Sequence, residues 1–322
     1  VSGSGHLLSP EWLTRLERLS LGARTRVAGT LQGKRRSRRL GSSLEFADYR
    51  LYTPGDDVRR FDWGVYSRTG KAFVRQFMDE QELMVSIYVD CSASMNAVTT
   101  GAAHDASSLN GGTNHSGKGD AEGTKWLLAR QLAASIGYMA LSSYDRLQLA
   151  CYSKTLDSRL PVLRGKSAAH RLFSHLQQAP AGGDGSLAAA LSVPGALPRL
   201  PGMTWIFSDF WLEGGEEELS RSLSLLAGAG QETVLVHILS RDELEPRLSG
   251  DLRLVDSEYL TGKEVAVTGR VLEAYREELE NYRQMLARVC AERGMTYLLI
   301  PADMPLQEAV FGILAGAGLV KG

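Results

Sequence analysis

Apolar positions fall into a regular rhythm over the second half of the chain. Met84–Val89 is a short run of β-branched and aromatic residues, long enough for one buried strand. Lys125–Leu141 is apolar on most of its faces, as a buried helix is. Arg146–Tyr152 reads as a strand, and Ser167–Gln177 and Ser186–Leu191 as helices. Met203–Phe207 is a strand, Glu216–Ala227 a helix and Thr233–Leu239 a strand. Arg270–Arg293 is a long helix, Met295–Ile300 a strand and Pro305–Leu314 a closing helix. Alternating strands and helices predict an α/β fold, a doubly wound and mostly parallel sheet with helices on both faces.

The first 80 residues follow a different pattern. Ser9-Pro10-Glu11 is a helix start, and Trp12, Leu13, Leu16 and Leu19 continue it to about Leu21-Gly22. Residues 44–80 read as strands and turns, with Thr53-Pro54-Gly55-Asp56-Asp57 as a strong turn and Ala72–Phe77 alternating. Leu252–Asp256 and Glu264–Val267 read as a hairpin that interrupts the later rhythm. The expected organisation is a helix and basic arm over 1–43, a β-rich segment over 44–80 joined by hairpin 251–268, and an α/β domain over 81–322. Residues 96–124 are rich in Gly, Ser, Thr and Asn and form a flexible insertion in that domain.

Charge sharpens this division. Residues 1–79 hold fifteen Lys/Arg against eight Asp/Glu, whereas the whole chain of 322 residues has a net charge of −1. Lys34–Arg39 could bind phosphate or an acidic partner; the preferred reading is a solvated loop, because a charge block is a weak signal alone. No aromatic pattern interleaves with it, so nucleic acid is not the expected partner. Cys91, Cys151 and Cys290 are too far apart for a metal-ligand motif and suggest reduced, buried thiols in the cytoplasm. No apolar run is long enough to span a bilayer, and Val1–Gly5 lacks the charged-then-apolar order of an export signal.

Candidate chemistry lies where strands should end. Asp90, Ser92 and Ser94 stand at alternate positions directly after the Met84–Val89 run, and Asp209 follows Met203–Phe207 in the same way. In a parallel sheet both ends face one crevice, where ligands bind. Carboxylate and hydroxyl oxygens suit a hard cation such as Mg²⁺ or Mn²⁺. Ala181–Ser186 is a third loop, from which Asp184 or Ser186 could add an oxygen. Gly112–Lys118 imitates the start of a phosphate-binding loop, but Gly119 follows where Ser or Thr is needed and no strand precedes it.

These residues resemble the von Willebrand factor A fold and its metal-ion-dependent adhesion site. Asp90-x-Ser92-x-Ser94 matches the first loop and Asp209 the third. On the second loop the family's Thr falls on Gly185, leaving Ser186 or Asp184 as substitutes. The resemblance is closer to a bacterial family catalogued as domain of unknown function 58, usually found beside MoxR-type AAA+ ATPases. It is carried by Ser43–Phe46, by Arg50-x-Tyr52-x-Pro54-Gly55-Asp56-Asp57-x-Arg59-x-x-Asp62-Trp63, by Arg68-x-Gly70, by Val74-Arg75-x-Phe77, and by Asp90 to Met95.

The resemblance implies a non-enzymatic module that binds protein partners. One partner would be a MoxR-type ATPase that assembles or activates protein complexes, and an acidic residue of a partner would complete the metal's coordination. Arg50, Asp56, Asp57, Arg59, Asp62 and Trp63 are the candidate partner-binding residues. The plainer reading of that stretch is a small β-unit held by aromatic packing and Arg–Asp pairs. A metal-dependent phosphoryl hydrolase and an anionic-surface binder acting through the basic arm are the alternatives. Against the hydrolase, Ser92 stands where dehalogenase-type phosphatases carry a second Asp, and no Gly-x-Ser-x-Gly elbow is present.

Overall fold

The computed structural model describes residues 7–23, 36–40, 46–54, 56, 61–80, 82–96, 124–246, 250–255 and 262–322. Two compact units result, one from Val1–Ala23 with Leu83–Gly322, the other from Arg24–Glu82.

In chain order the strands are β1 (Ser20–Leu21), β2 (Arg36–Leu40), β3 (Phe46–Leu51), β4 (Phe73–Glu80), β5 (Met84–Asp90), β6 (Arg146–Tyr152), β7 (Leu156–Arg164), β8 (Gly202–Ser208), β9 (Gln231–Leu239), β10 (Gly250–Val255), β11 (Gly262–Val267), β12 (Thr296–Pro301) and β13 (Val320–Lys321). The helices are α1 (Pro10–Leu16), α2 (Trp63–Thr69), α3 (Lys125–Ser142), α4 (Ala169–Gln178), α5 (Leu187–Ser192), α6 (Gly215–Gly228), α7 (Arg241–Leu244) and α8 (Gly269–Ala291). Leu306–Leu314 closes the chain as a helical segment with a π-turn.

The larger unit is built on a six-stranded sheet of order β12-β9-β8-β5-β6-β7. All its pairs are parallel except β6–β7. After β7 the chain returns to the middle and places β8 on the other side of β5. The strand order therefore reverses at β5 and β8, and a crevice opens beyond their carboxyl ends. Both strands are buried along their whole length, as parallel strands covered on both faces must be.

Alternation along β5 divides the core. Val85, Ile87 and Val89 pack with Leu132, Ile136 and Met139 of α3, with Leu172 and Leu176 of α4, and with Trp12 and Leu16 of α1. Tyr88 faces the opposite layer with Leu187 and Leu191 of α5, Leu219 and Leu223 of α6, and Leu286 and Val289 of α8. The two periods, 2 in the strand and about 3.6 in the helices, bring the same apolar residues to both interfaces. Among the described residues no helix is long and apolar enough to cross a membrane.

Several expectations need correction. Helix α1 stops at Leu16 rather than near Leu21, because Ser20 and Leu21 pair with Lys321 and Val320 at the other end of the chain. Residues up to Ala23 thus belong to the larger unit rather than to a separate arm. Leu156–Arg164, unassigned from sequence, is the antiparallel edge strand; an edge tolerates Pro161, which cannot donate to a ladder. In the smaller unit β4 is the central strand of a three-stranded antiparallel sheet, β2-β4-β3. Arg36–Leu40 is therefore a strand and not a loop. Hairpin β10–β11 pairs with itself, from Gly250↔Val267 to Val255↔Gly262. It forms a sheet separate from β2-β4-β3, in the larger unit's span, so the expected joint sheet is not made among the described residues. Alternation marks both segments as strands but does not say which edges meet. Of the 96–124 insertion, residues 97–123 lie outside the described residues, and so do Lys34 and Arg35.

Candidate metal and partner site at the sheet crevice

Strand β5 ends in Asp90, paired with Tyr152 on β6, and β8 ends in Ser208, paired with His237 on β9. The loops after both strands therefore meet at the switch point. Asp90 is 4% exposed and Asp209 is 2% exposed. Oδ1 of Asp90 accepts the Ser92 backbone N–H at 2.9 Å, and Oδ2 accepts the Ser208 hydroxyl at 2.6 Å. Ser208 Oγ in turn accepts the Phe210 N–H at 2.8 Å. Ser92 and Ser94 face each other with hydroxyls 3.0 Å apart. The first loop thus presents one carboxylate and two hydroxyls together, as its spacing predicted.

The second loop is bound to the first by its backbone. The Gly182 N–H donates to the Cys91 carbonyl at 2.7 Å, and the Ala93 N–H donates to the Gly183 carbonyl at 2.8 Å. Gly183 has a φ of +83°, a conformation that favours glycine. The approach is closest at Gly185, where an added Cβ would lie 3.3 Å from Ser92 Oγ and 3.6 Å from Asp90 Oδ1. The position that aligns with the family's Thr is therefore correctly placed but carries no side chain. Neither suggested substitute points to the gap. Ser186 caps α5 and donates to Glu218 at 2.7 Å, while Asp184 is ion-paired with Lys154. The second-loop oxygen expected from Ser186 or Asp184 is thus engaged elsewhere.

The third loop is held rigidly. Phe210 is fully buried with a φ of +50°, uncommon for a residue with a side chain. Tyr282 of α8 donates to its carbonyl at 2.5 Å, and the Tyr282 ring stacks on Trp211 at 5.6 Å. Asp209 Oδ2 accepts from the Lys125 ammonium at 2.7 Å, and the same ammonium reaches Glu243 at 2.6 Å. Lys125 is the first residue of α3, and Glu243 closes a capping box with Ser240 at α7. Sequence reading missed both residues. The Ser240-x-x-Glu243 spacing was the available signal for one of them; a lysine opening an apolar helix gives none.

These contacts set the electrostatics. Burial raises the Asp90 carboxyl above the usual range, and the negative charge of Asp209 raises it further. Its hydrogen-bond partners are the neutral Ser92 amide and Ser208 hydroxyl. Burial would pull Lys125 down, but Asp209 and Glu243 outweigh it and hold the ammonium above its ordinary value. Cys91, within the first loop, is pushed well up by burial and by its contact with Asp157 at 3.2 Å, which favours the neutral thiol. Burial likewise pushes Cys151 and Cys290 up to about 12.

The donor set suits a hard divalent cation at the first loop. Asp90, Ser92 and Ser94 supply oxygen only, and Gly185 leaves them uncovered by a side chain at that second-loop position. Asp209 lies beside this set and shares its charge with Lys125.

The candidate partner residues of the smaller unit have structural work within it. Arg50 pairs with Asp56 at 2.7 Å, and Asp56 also accepts the Thr53 N–H at 2.8 Å, closing the predicted turn. The Arg50 guanidinium holds Asp56 down at about 2. Asp62 caps α2 by accepting the Val65 N–H and also accepts from Tyr49. Trp63, 68% exposed, packs with Phe61 and Tyr66. Asp57 and Arg59 lie outside the described residues.

Strand order with one antiparallel edge, together with two acidic loops at the switch point, defines a von Willebrand factor A-like protein. Residues 48–285 match the family described as "Protein of unknown function DUF58", and the chain belongs to that family. It is similar to Uncharacterized protein Mb1516 of Mycobacterium bovis and Uncharacterized protein Rv1480 of Mycobacterium tuberculosis. Each is 29% identical over 302 residues, which cover 93% of this chain and 87% of the relative. Among solved structures it is similar to conserved hypothetical protein BatB from Bacteroides thetaiotaomicron, with a TM-score of 0.41 and 12% identity over 73% of this chain and 98% of that one. It is also similar to the SpRpn10 VWA domain, with a TM-score of 0.36 and 10% identity over 72% and 94%. The fold class rests on the chain's own strand order, since those superpositions are loose.

Proposed function

We propose that this chain is a protein-binding module whose recognition centre is the crevice beyond β5 and β8. Asp90, Ser92 and Ser94 would hold a Mg²⁺ or Mn²⁺ ion, with Asp209 beside them. Bound there, the ion supplies a positive charge and an open coordination position for a partner carboxylate. The chain's own residues do the rest. The Gly182 and Gly183 backbone bonds tie the first loop to the second, and Tyr282 bonds the third. The observation that carries this reading is Asp90, a buried carboxylate whose hydrogen-bond partners are neutral and which feels the negative charge of Asp209. The partner class follows from the family resemblance: a MoxR-type AAA+ ATPase acting on protein complexes. The hydrolase alternative gains no support here, because Ser92 occupies the place of a second first-loop carboxylate and its hydroxyl is turned to Ser94.

The test is co-precipitation of the purified chain with a MoxR-type ATPase of the same organism, in Mg²⁺ and in chelator. The expected result is capture that needs Mg²⁺ and is lost in Asp90→Ala and reduced in Asp209→Ala. Equal capture in chelator would exclude the metal-bridged mode. Turnover of phosphate esters that depends on Asp90 would replace this reading with the hydrolase.

A further inference from the structure

Lys125 is placed where a positive charge is hard to keep. It opens an 18-residue helix, whose amino end already carries partial positive charge, and its side chain is 2% exposed. Only its two carboxylate partners justify that position. Asp209 comes from the end of β8 and Glu243 from α7, so three separate elements converge on one ammonium. The ammonium bonds Asp209 and Glu243 and none of the first-loop oxygens. Asp90 keeps Asp209 as its charged neighbour. The Lys125 ammonium is thus divided between Asp209 and Glu243, and Asp90 has no share in it.

We propose that Lys125 is an internal counter-cation that governs the divalent affinity of the site. It neutralises the third-loop carboxylate through Oδ2 and so lowers the site's pull on Mg²⁺ or Mn²⁺. The number of charged ligands is the main control on divalent affinity in oxygen sites. A lysine that removes one charge without covering the first-loop oxygens sets a weak, readily exchanged ion. Such an ion suits a contact that forms and releases with a partner carboxylate. Glu243 completes the device, because it divides the ammonium with Asp209. This inference rests on the metal reading of the crevice.

The experiment is calorimetric titration of Mn²⁺ into the full chain and three variants, with circular dichroism confirming the fold of each. Lys125→Met leaves two acids without a counter-ion, so Lys125→Met/Glu243→Gln is the better-balanced variant. Both are expected to bind Mn²⁺ at least tenfold more tightly than the parent. Glu243→Gln alone, which leaves the whole ammonium to Asp209, is expected to bind severalfold more weakly. A folded double variant with affinity equal to or below the parent's overturns the role of Lys125 while leaving the metal site standing. No binding by any folded protein overturns both. The titration needs no partner, so loss of ATPase capture in the earlier test bears on the function alone.

Discussion

Asp90 ends β5 and Asp209 directly follows the end of the adjacent parallel strand β8, yet the chain treats them in opposite ways. Asp90 is held by an amide and a hydroxyl, both neutral. Asp209 is held by an ammonium buried to the same degree as itself. A buried carboxylate is tolerated on either footing, but the two differ in what they leave over. Neutral donors satisfy the oxygens and leave the charge; a lysine satisfies the charge as well. One crevice therefore contains a carboxylate that can attract a cation and one already supplied with its own.

Substitutions at the two loops should separate these footings. The largest effect is expected from Lys125→Met, which strands Asp209 and Glu243; urea unfolding should show a loss of about 3–5 kcal/mol, the usual result of breaking a buried pair from one side. Asp90→Asn keeps the oxygen that accepts the Ser92 N–H and removes a buried charge. Its stability should therefore stay within about 1 kcal/mol of the parent, or rise. A loss at Asp90→Asn as large as that at Lys125→Met would abolish the contrast. Ser208→Ala removes the Asp90 hydrogen bond and the acceptor for the Phe210 N–H, and should cost about 1–3 kcal/mol by the same measurement. A smaller effect, about 1 kcal/mol, is expected from Gly185→Ala, whose methyl would meet Ser92 Cβ at 3.2 Å. This methyl should also weaken Mn²⁺ binding, because it enters the space above the first-loop oxygens.

The middle of the sheet was readable because β5, β6, β8 and β9 are buried almost throughout and so appear as continuous apolar runs, from Met84–Val89 to Thr233–Leu239. Strand β7 was not, because an edge strand with Pro161 and alternating polar residues lacks that signature. The short helix α2 was hidden in the same way: Asp62 was grouped with neighbouring charges rather than read as the N-cap it is. At the site, the first-loop oxygens and Asp209 were visible because local spacing after a strand places them directly. The meeting of Lys125 with Asp209 and Glu243 was invisible because it depends on three elements converging, over sequence separations of 84 and 118 residues. Ser186 and Asp184 show the reverse case. Both stand at the correct sequence position, but Glu218 and Lys154 engage them.

The contrast between the carboxylates is tested most directly by Mn²⁺ titration of Asp90→Asn against the parent chain. The substitution retains the shape of the loop and removes the Asp90 charge, whose hydrogen-bond partners are neutral. A saturable binding heat in the parent that disappears in Asp90→Asn is the predicted result. Unchanged Mn²⁺ binding in a folded Asp90→Asn would show that Asp90 does not hold the ion.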